Sequence, residues 1–89
     1  MTLPTREQIL ENLGGALDRA SNGRAKLDRL DDNARIIEDI GLSSLDLLDL
    51  RCELEERWQT KFTDEELMQL RTVGDVIQLI EARVSLGAD

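Results

Sequence analysis

Apolar side chains return every three or four residues along Ile9, Leu10, Leu13, Ala16, Leu17 and Ala20, and again along Val73, Val76, Ile77, Ile80 and Val84. That period matches the 3.6-residue turn of an α-helix and gathers each set on one face, so both segments are read as amphipathic helices. Thr5 followed by Gln8 has the form of a capping box opening the first helix, at about residues 6–20. Ser21-Asn22-Gly23 supplies its stop, because Asn and Gly accept the left-handed conformation that closes a helix. Thr72, with Asp75 three positions on, opens the last helix, at about 72–84.

Between them, residues 21–42 are rich in charge and poor in period, which predicts a long loop pinned by Leu27, Leu30, Ile36, Ile37 and Ile40. Such a stretch is unusual in a small domain unless it is functional or anchored, and these apolar residues point to anchoring. A second helix is expected over about 43–58. Ser43 can cap it, and Asp46 at the third helical position serves both the free amides and the positive end of the helix dipole. Leu45, Leu48 and Cys52, with Leu47, Leu50 and Leu54, supply its apolar faces, while Asp46, Asp49, Glu53 and Glu56 lie on the other side with Glu55 nearby. Thr63-Asp64-Glu65-Glu66 opens a short third helix at about 64–69 that carries Leu67 and Met68. The expected architecture is all-α: a four-helix bundle with a long loop after helix I and a short helix III.

Eighty-nine residues make one domain, 1–89, because a chain this short buries only about two-thirds of its unfolded surface and cannot support two cores. Its aromatic residues are Trp58 and Phe62 alone, so packing rests on Leu, Ile, Val and Ala, which suit helices. Both aromatics follow the apolar pattern and read as core anchors. The net charge of −8 is concentrated: residues 38–66 hold three basic against ten acidic side chains, or −7. A patch of that sign repels phosphate backbones and anionic membrane surfaces and attracts basic protein partners, which argues against nucleic-acid binding. With no His and one Cys, the chain lacks the parts for histidine acid/base chemistry, a Cys-His nucleophile, an internal disulfide or the usual zinc sites. No catalytic residue is therefore assigned, and Cys52 reads as a small buried apolar residue. Asp28, Asp31 and Asp32 lack the alternating ligands, central Gly and terminal Glu of a helix-loop-helix calcium site, so no metal is expected. No run resembles a signal peptide or approaches a membrane span, which predicts a soluble cytoplasmic protein.

The segment Glu38-Asp39-Ile40-Gly41-Leu42-Ser43-Ser44-Leu45-Asp46 and the acidic helix after it resemble the phosphopantetheine attachment region of acyl and peptidyl carrier proteins. Glu53-Leu54-Glu55-Glu56-Arg57-Trp58 is similar to the end of that family's second helix. Phe62-Thr63-Asp64-Glu65-Glu66-Leu67 and Thr72-Val73-Gly74-Asp75-Val76 resemble the openings of its third and fourth helices. The four pieces stand in the family's order and spacing, specifically over residues 36–84 and only architecturally before that.

The resemblance implies a protein that is not itself an enzyme and presents a 4'-phosphopantetheine arm as a thioester carrier. The family serine stands directly before Leu or Met and two before Asp, which selects Ser44 over Ser43 as the attachment site. Ser43 departs from the pattern, since the family more often has Asp there; Ser and Asp cap a helix similarly well. A separate phosphopantetheinyl transferase, using coenzyme A and magnesium, would load the arm. Enzymes with basic docking surfaces would meet Leu45, Asp46, Leu48, Asp49, Glu55 and Glu56, weakly and in a salt-sensitive way. Leu45, Leu48 and Cys52 are expected to line any cavity that shelters a short acyl chain, the alternative being a filled core. Arg51, seven positions after Ser44, argues against deep storage of a long chain, and is also spaced to pair with Glu55. Ser43, Arg51 and the basic loop residues Arg24, Lys26 and Arg29 tilt the expectation from primary fatty-acid synthesis toward specialised metabolism, polyketide or nonribosomal peptide. The protein is expected to be a monomer. The rival reading is an unmodified carrier-like scaffold acting through its acidic second helix.

Overall fold

The computed structural model describes residues 4–28 and 30–87, so the Arg29 of the basic loop lies outside the described residues. Helix α1 spans Arg6–Ala20. Thr5 Oγ1 accepts from the Gln8 amide at 3.1 Å, and the Gln8 side chain accepts from the Thr5 amide at 2.8 Å, completing the expected capping box. At the far end Gly23, at φ +81°, donates its amide to the Asp18 carbonyl at 2.8 Å. Helices α2 (Ser44–Trp58), α3 (Asp64–Met68) and α4 (Val73–Gly87) follow. Ser43 and Thr72 sit outside α2 and α4 as caps. Helix α3 closes one residue earlier than expected, and α4 runs three residues further than its apolar stripe suggested.

The chain segment 21–42 differs from the expected loop. Residues Ile36–Ile40 form a π-helical turn, in which the Ile40 and Gly41 amides reach the carbonyls of Arg35 and Ile36, five residues back, at 2.9 and 3.1 Å. Its support comes from outside the segment. The Ile36 amide donates to the Arg71 carbonyl at 2.9 Å, Val73 to Ala34 at 2.9 Å and Gly74 to Asp32 at 3.0 Å. These bonds stitch residues 32–36 to the opening of α4. Gly74 allows this close approach: a Cβ would stand 3.0 Å from the Asp32 carbonyl oxygen and would press that backbone back slightly. Gly41 ends the turn at φ +96°, a left-handed conformation that costs most residues about 1–2 kcal/mol. Ile36 and Ile40 are buried as expected, but Ile37 is half exposed and anchors nothing.

The core joins Ile9, Leu13 and Leu17 of α1 to Leu50 and Leu54 of α2 and Val76, Ile77 and Ile80 of α4, with Phe62 and Leu67 closing one side. Helices α1 and α2 are antiparallel: Gly15 faces Arg57, Arg19 lies 3.6 Å from Glu53, and Arg24 beyond α1 reaches Asp46. That packing decides which side of α2 is buried. Leu47, Leu50, Leu54 and Trp58 recur at three- and four-residue spacing and turn inward. Leu45, Leu48 and Cys52 consequently turn outward instead of lining an enclosed core cavity, with Leu45 75% and Leu48 52% exposed and Cys52 on an open surface groove beside Glu55, Glu56 and Lys61. No helix among the described residues is long and apolar enough to cross a membrane.

Candidate functional site

Ser44 is the first residue of α2, and it is exposed. Ser43 is committed elsewhere: its hydroxyl accepts from the Asp46 amide at 3.2 Å, and its own amide donates to Asp46 Oδ2 at 2.9 Å. The Ser44 hydroxyl makes no hydrogen bond among the described residues. Its amide and that of Leu45 lie in the first helical turn, where no intrahelical acceptor exists. Two free amides and the positive end of a 15-residue helix suit a group that carries a negative charge next to Ser44.

Asp46 does not join the outward acidic face. It is 8% exposed, on the side of α2 that meets the end of α1, and Arg24 Nη2 donates to its Oδ2 at 2.6 Å. The Ser43 amide first, then the Ser43 hydroxyl and Arg24, hold its carboxyl below the usual carboxylate range. Glu55 is also drawn in. Its Oε2 accepts from the Phe62 amide at 2.8 Å and from Arg51 at 3.4 Å, and the Phe62 bond foremost lowers its pKa. Leu45, Leu48, Asp49 and Glu56 remain outward, on the same helix as Ser44.

Arg51 leaves the Ser44 line and bridges to α3, donating to Asp64 Oδ1 at 2.5 Å, a contact that with Glu55 raises its pKa. Arg83 of α4 grips α3 from the other side by pairing with Glu66, and its guanidinium lies 5.9 Å from the Phe62 ring. Beside α3 an open cleft of about 460 Å³ is lined by the apolar Ile37, Leu47, Leu67, Met68 and Leu70, with Arg35, Glu38 and Arg71. Met68 is 81% exposed there, beside the buried Leu67. Sequence reasoning missed the Arg24–Asp46 pair, because no local pattern links residues 22 positions apart. Among the described residues no cluster of acidic or Cys side chains could hold a metal ion.

The sequence family described as the phosphopantetheine attachment site matches residues 7–80, from the first turn of α1 through α2 and α3 into α4. This chain belongs to that family. It is 43% identical over 54 residues to the acyl carrier protein of Chlamydia caviae, covering 61% of this chain and 70% of that protein. The acyl carrier protein of Thermotoga maritima is 38% identical over 53 residues, 60% of this chain and 65% of that protein. That of Rhodococcus erythropolis is 27% identical over 85 residues, 96% of this chain and 91% of that protein. The chain is thus a carrier, without catalytic activity of its own, whose cofactor is a covalently attached 4'-phosphopantetheine. The exposed hydroxyl at the start of α2, with the free amides of its first turn, fits a phosphodiester of that kind.

Proposed function

We propose that this carrier bears its arm on Ser44 and shuttles acyl or aminoacyl intermediates, held as thioesters, between biosynthetic enzymes. The observation that carries the assignment is the division of labour between adjacent serines. The Ser43 hydroxyl is spent on the helix cap, whereas that of Ser44 is exposed and unbonded. Loading forms a bond from Ser44 Oγ to the pantetheine-side phosphorus of coenzyme A and breaks the phosphoanhydride bond to the nucleotide. The nucleotide bisphosphate departs, and the serine proton passes to the transferase or to water.

The arm's free thiol then forms the thioester, and the carrier works as a cytoplasmic monomer. Leu45, Leu48, Asp49 and Glu56 form its docking surface for the transferase and for enzymes with basic faces; Asp46 and Glu55 serve it by shaping α2 rather than by direct contact. Ser43, the Arg51 tie to Asp64 and the cations Arg24 and Lys26 support a place in specialised metabolism, polyketide or nonribosomal peptide, over primary fatty-acid synthesis.

The test is intact-protein mass after incubation with coenzyme A, magnesium and a broad-specificity phosphopantetheinyl transferase. The expected result is a gain of one phosphopantetheinyl group in the wild type and in Ser43→Ala, and none in Ser44→Ala. A gain lost only in Ser43→Ala would move the site, and no gain with several transferases would favour an unmodified scaffold.

A further inference from the structure

The Arg24 guanidinium spans two parts of the chain at once. Its Nε donates to the Ser21 carbonyl at 2.9 Å, and its Nη2 donates to Asp46 Oδ2 at 2.6 Å. The anchor end is rigid, since Ser21 is fully buried, with its hydroxyl donating to Asp18 O at 3.2 Å and accepting from the Ala25 amide at 2.8 Å. At the other end, the same Asp46 oxygen that Arg24 holds also receives the Ser43 amide. One carboxylate oxygen therefore ties the close of α1 to the backbone amide of Ser43, the residue immediately before Ser44. A second tie runs in parallel, from the Lys26 amide to the Ile40 carbonyl at 2.9 Å, four residues before Ser44. Capping alone needs only Ser43 and Asp46; the arginine adds a fixed rotamer for the carboxylate and a fixed position for the helix start relative to α1.

We propose that Arg24 is a positioning residue for arm attachment: through Asp46 it fixes Ser43, the residue directly before Ser44, so that the Ser44 hydroxyl is presented in one geometry to the transferase. This rests on Ser44 being the attachment site. Arg24 acts on the serine and not on the partner, so its loss changes the rate of transfer within the bound complex, where a small misplacement of the nucleophile is costly. It also explains why Asp46 turns inward, because its charge is matched inside the carrier.

The test compares wild type, Arg24→Gln, Arg24→Lys and Asp46→Asn in the same transferase reaction with coenzyme A, with amide hydrogen exchange followed residue by residue on the apo protein. Arg24→Gln should lower kcat roughly tenfold with KM within about twofold. Arg24→Lys, which keeps the charge but not the two-ended grip, should recover only part of kcat. The double variant Arg24→Gln/Asp46→Asn should be no slower than the slower single variant, since both break one connection. Exchange at the Ser43 and Asp46 amides should quicken in Arg24→Gln while that at Val76 and Ile77 stays as in the wild type. Unchanged kcat, a rise in KM alone, or unchanged exchange at Ser43 and Asp46 would overturn the proposal. A wild type that takes up no arm would instead overturn the Ser44 reading.

Discussion

The carboxylates of Asp46, Glu55 and Glu66 lie below the usual carboxylate range, and in each the leading cause is a backbone amide: Ser43 for Asp46, Phe62 for Glu55 and Thr63 for Glu66. A depressed folded-state pKa stabilises the fold above the unfolded pKa, about 4, and that contribution is lost as the pH falls through the folded value. The thermal midpoint of the carrier should therefore hold near neutrality and drop on acidification below about pH 4. Glu55 isolates one share of this effect, because the Phe62 amide it accepts belongs to a residue only 3% exposed. Glu55→Ala leaves that donor unsatisfied and should cost about 1–3 kcal/mol at pH 7, measured by chemical denaturation. Its loss of midpoint between pH 6 and pH 3 should be smaller than that of the wild type; an equal loss would show that Glu55 does not titrate with folding. Sequence gave Glu55 a place on the acidic helix, but its partner amide comes from beyond the turn at Gln59, which no helical spacing reveals.

At the scale of elements, the chain's own signals open each helix. The Thr5, Ser43, Thr63 and Thr72 side chains each accept from the amide three residues on, and each of those residues returns a side-chain bond. Such caps are local and so are readable in sequence. The inward face of α2 was not readable, because Leu residues occupy 45, 47, 48, 50 and 54 and offer apolar stripes on nearly every side. Contact with α1 and α4 selects one of them. Leu50→Ala should cost about 2–5 kcal/mol, as for a filled core position. Leu45→Ala, at a residue 75% exposed, should change unfolding free energy by no more than about 0.5 kcal/mol. A large loss in Leu45→Ala would mean that Leu45 packs into the core. Helix α3 is a further case: five residues are too few to hold a helix alone. Arg51 from α2 and Arg83 from α4 hold it between them, with the ring of Phe62 below.

For the whole molecule, charge opposes compaction. Ten acidic and three basic side chains crowd residues 38–66, and pairing is partial, since Asp49 and Glu56 stay on the exposed face of α2. Screening shortens the reach of that repulsion to about 10 Å at 0.1 M salt. Raising sodium chloride from 10 to about 150 mM should therefore raise the thermal midpoint, and magnesium should do so at lower concentration. A flat midpoint across that range would show that the ion pairs of Arg24, Arg51 and Arg83 already balance the patch. Sequence by itself determined the helices and their caps, the concentration of negative charge and the Ser43-Ser44 junction, because each is written in residues within a turn or two of one another. Tertiary structure alone decided the π-helical turn at Ile36–Ile40, the outward aim of Leu45, Leu48 and Cys52, and the withdrawal of Asp46 and Glu55 from the acidic face. Each of those depends on a partner far away in the chain, Arg71 and Val73 for the turn, α1 for the stripe, Arg24 and Phe62 for the carboxylates, and only packing brings such partners within hydrogen-bond reach.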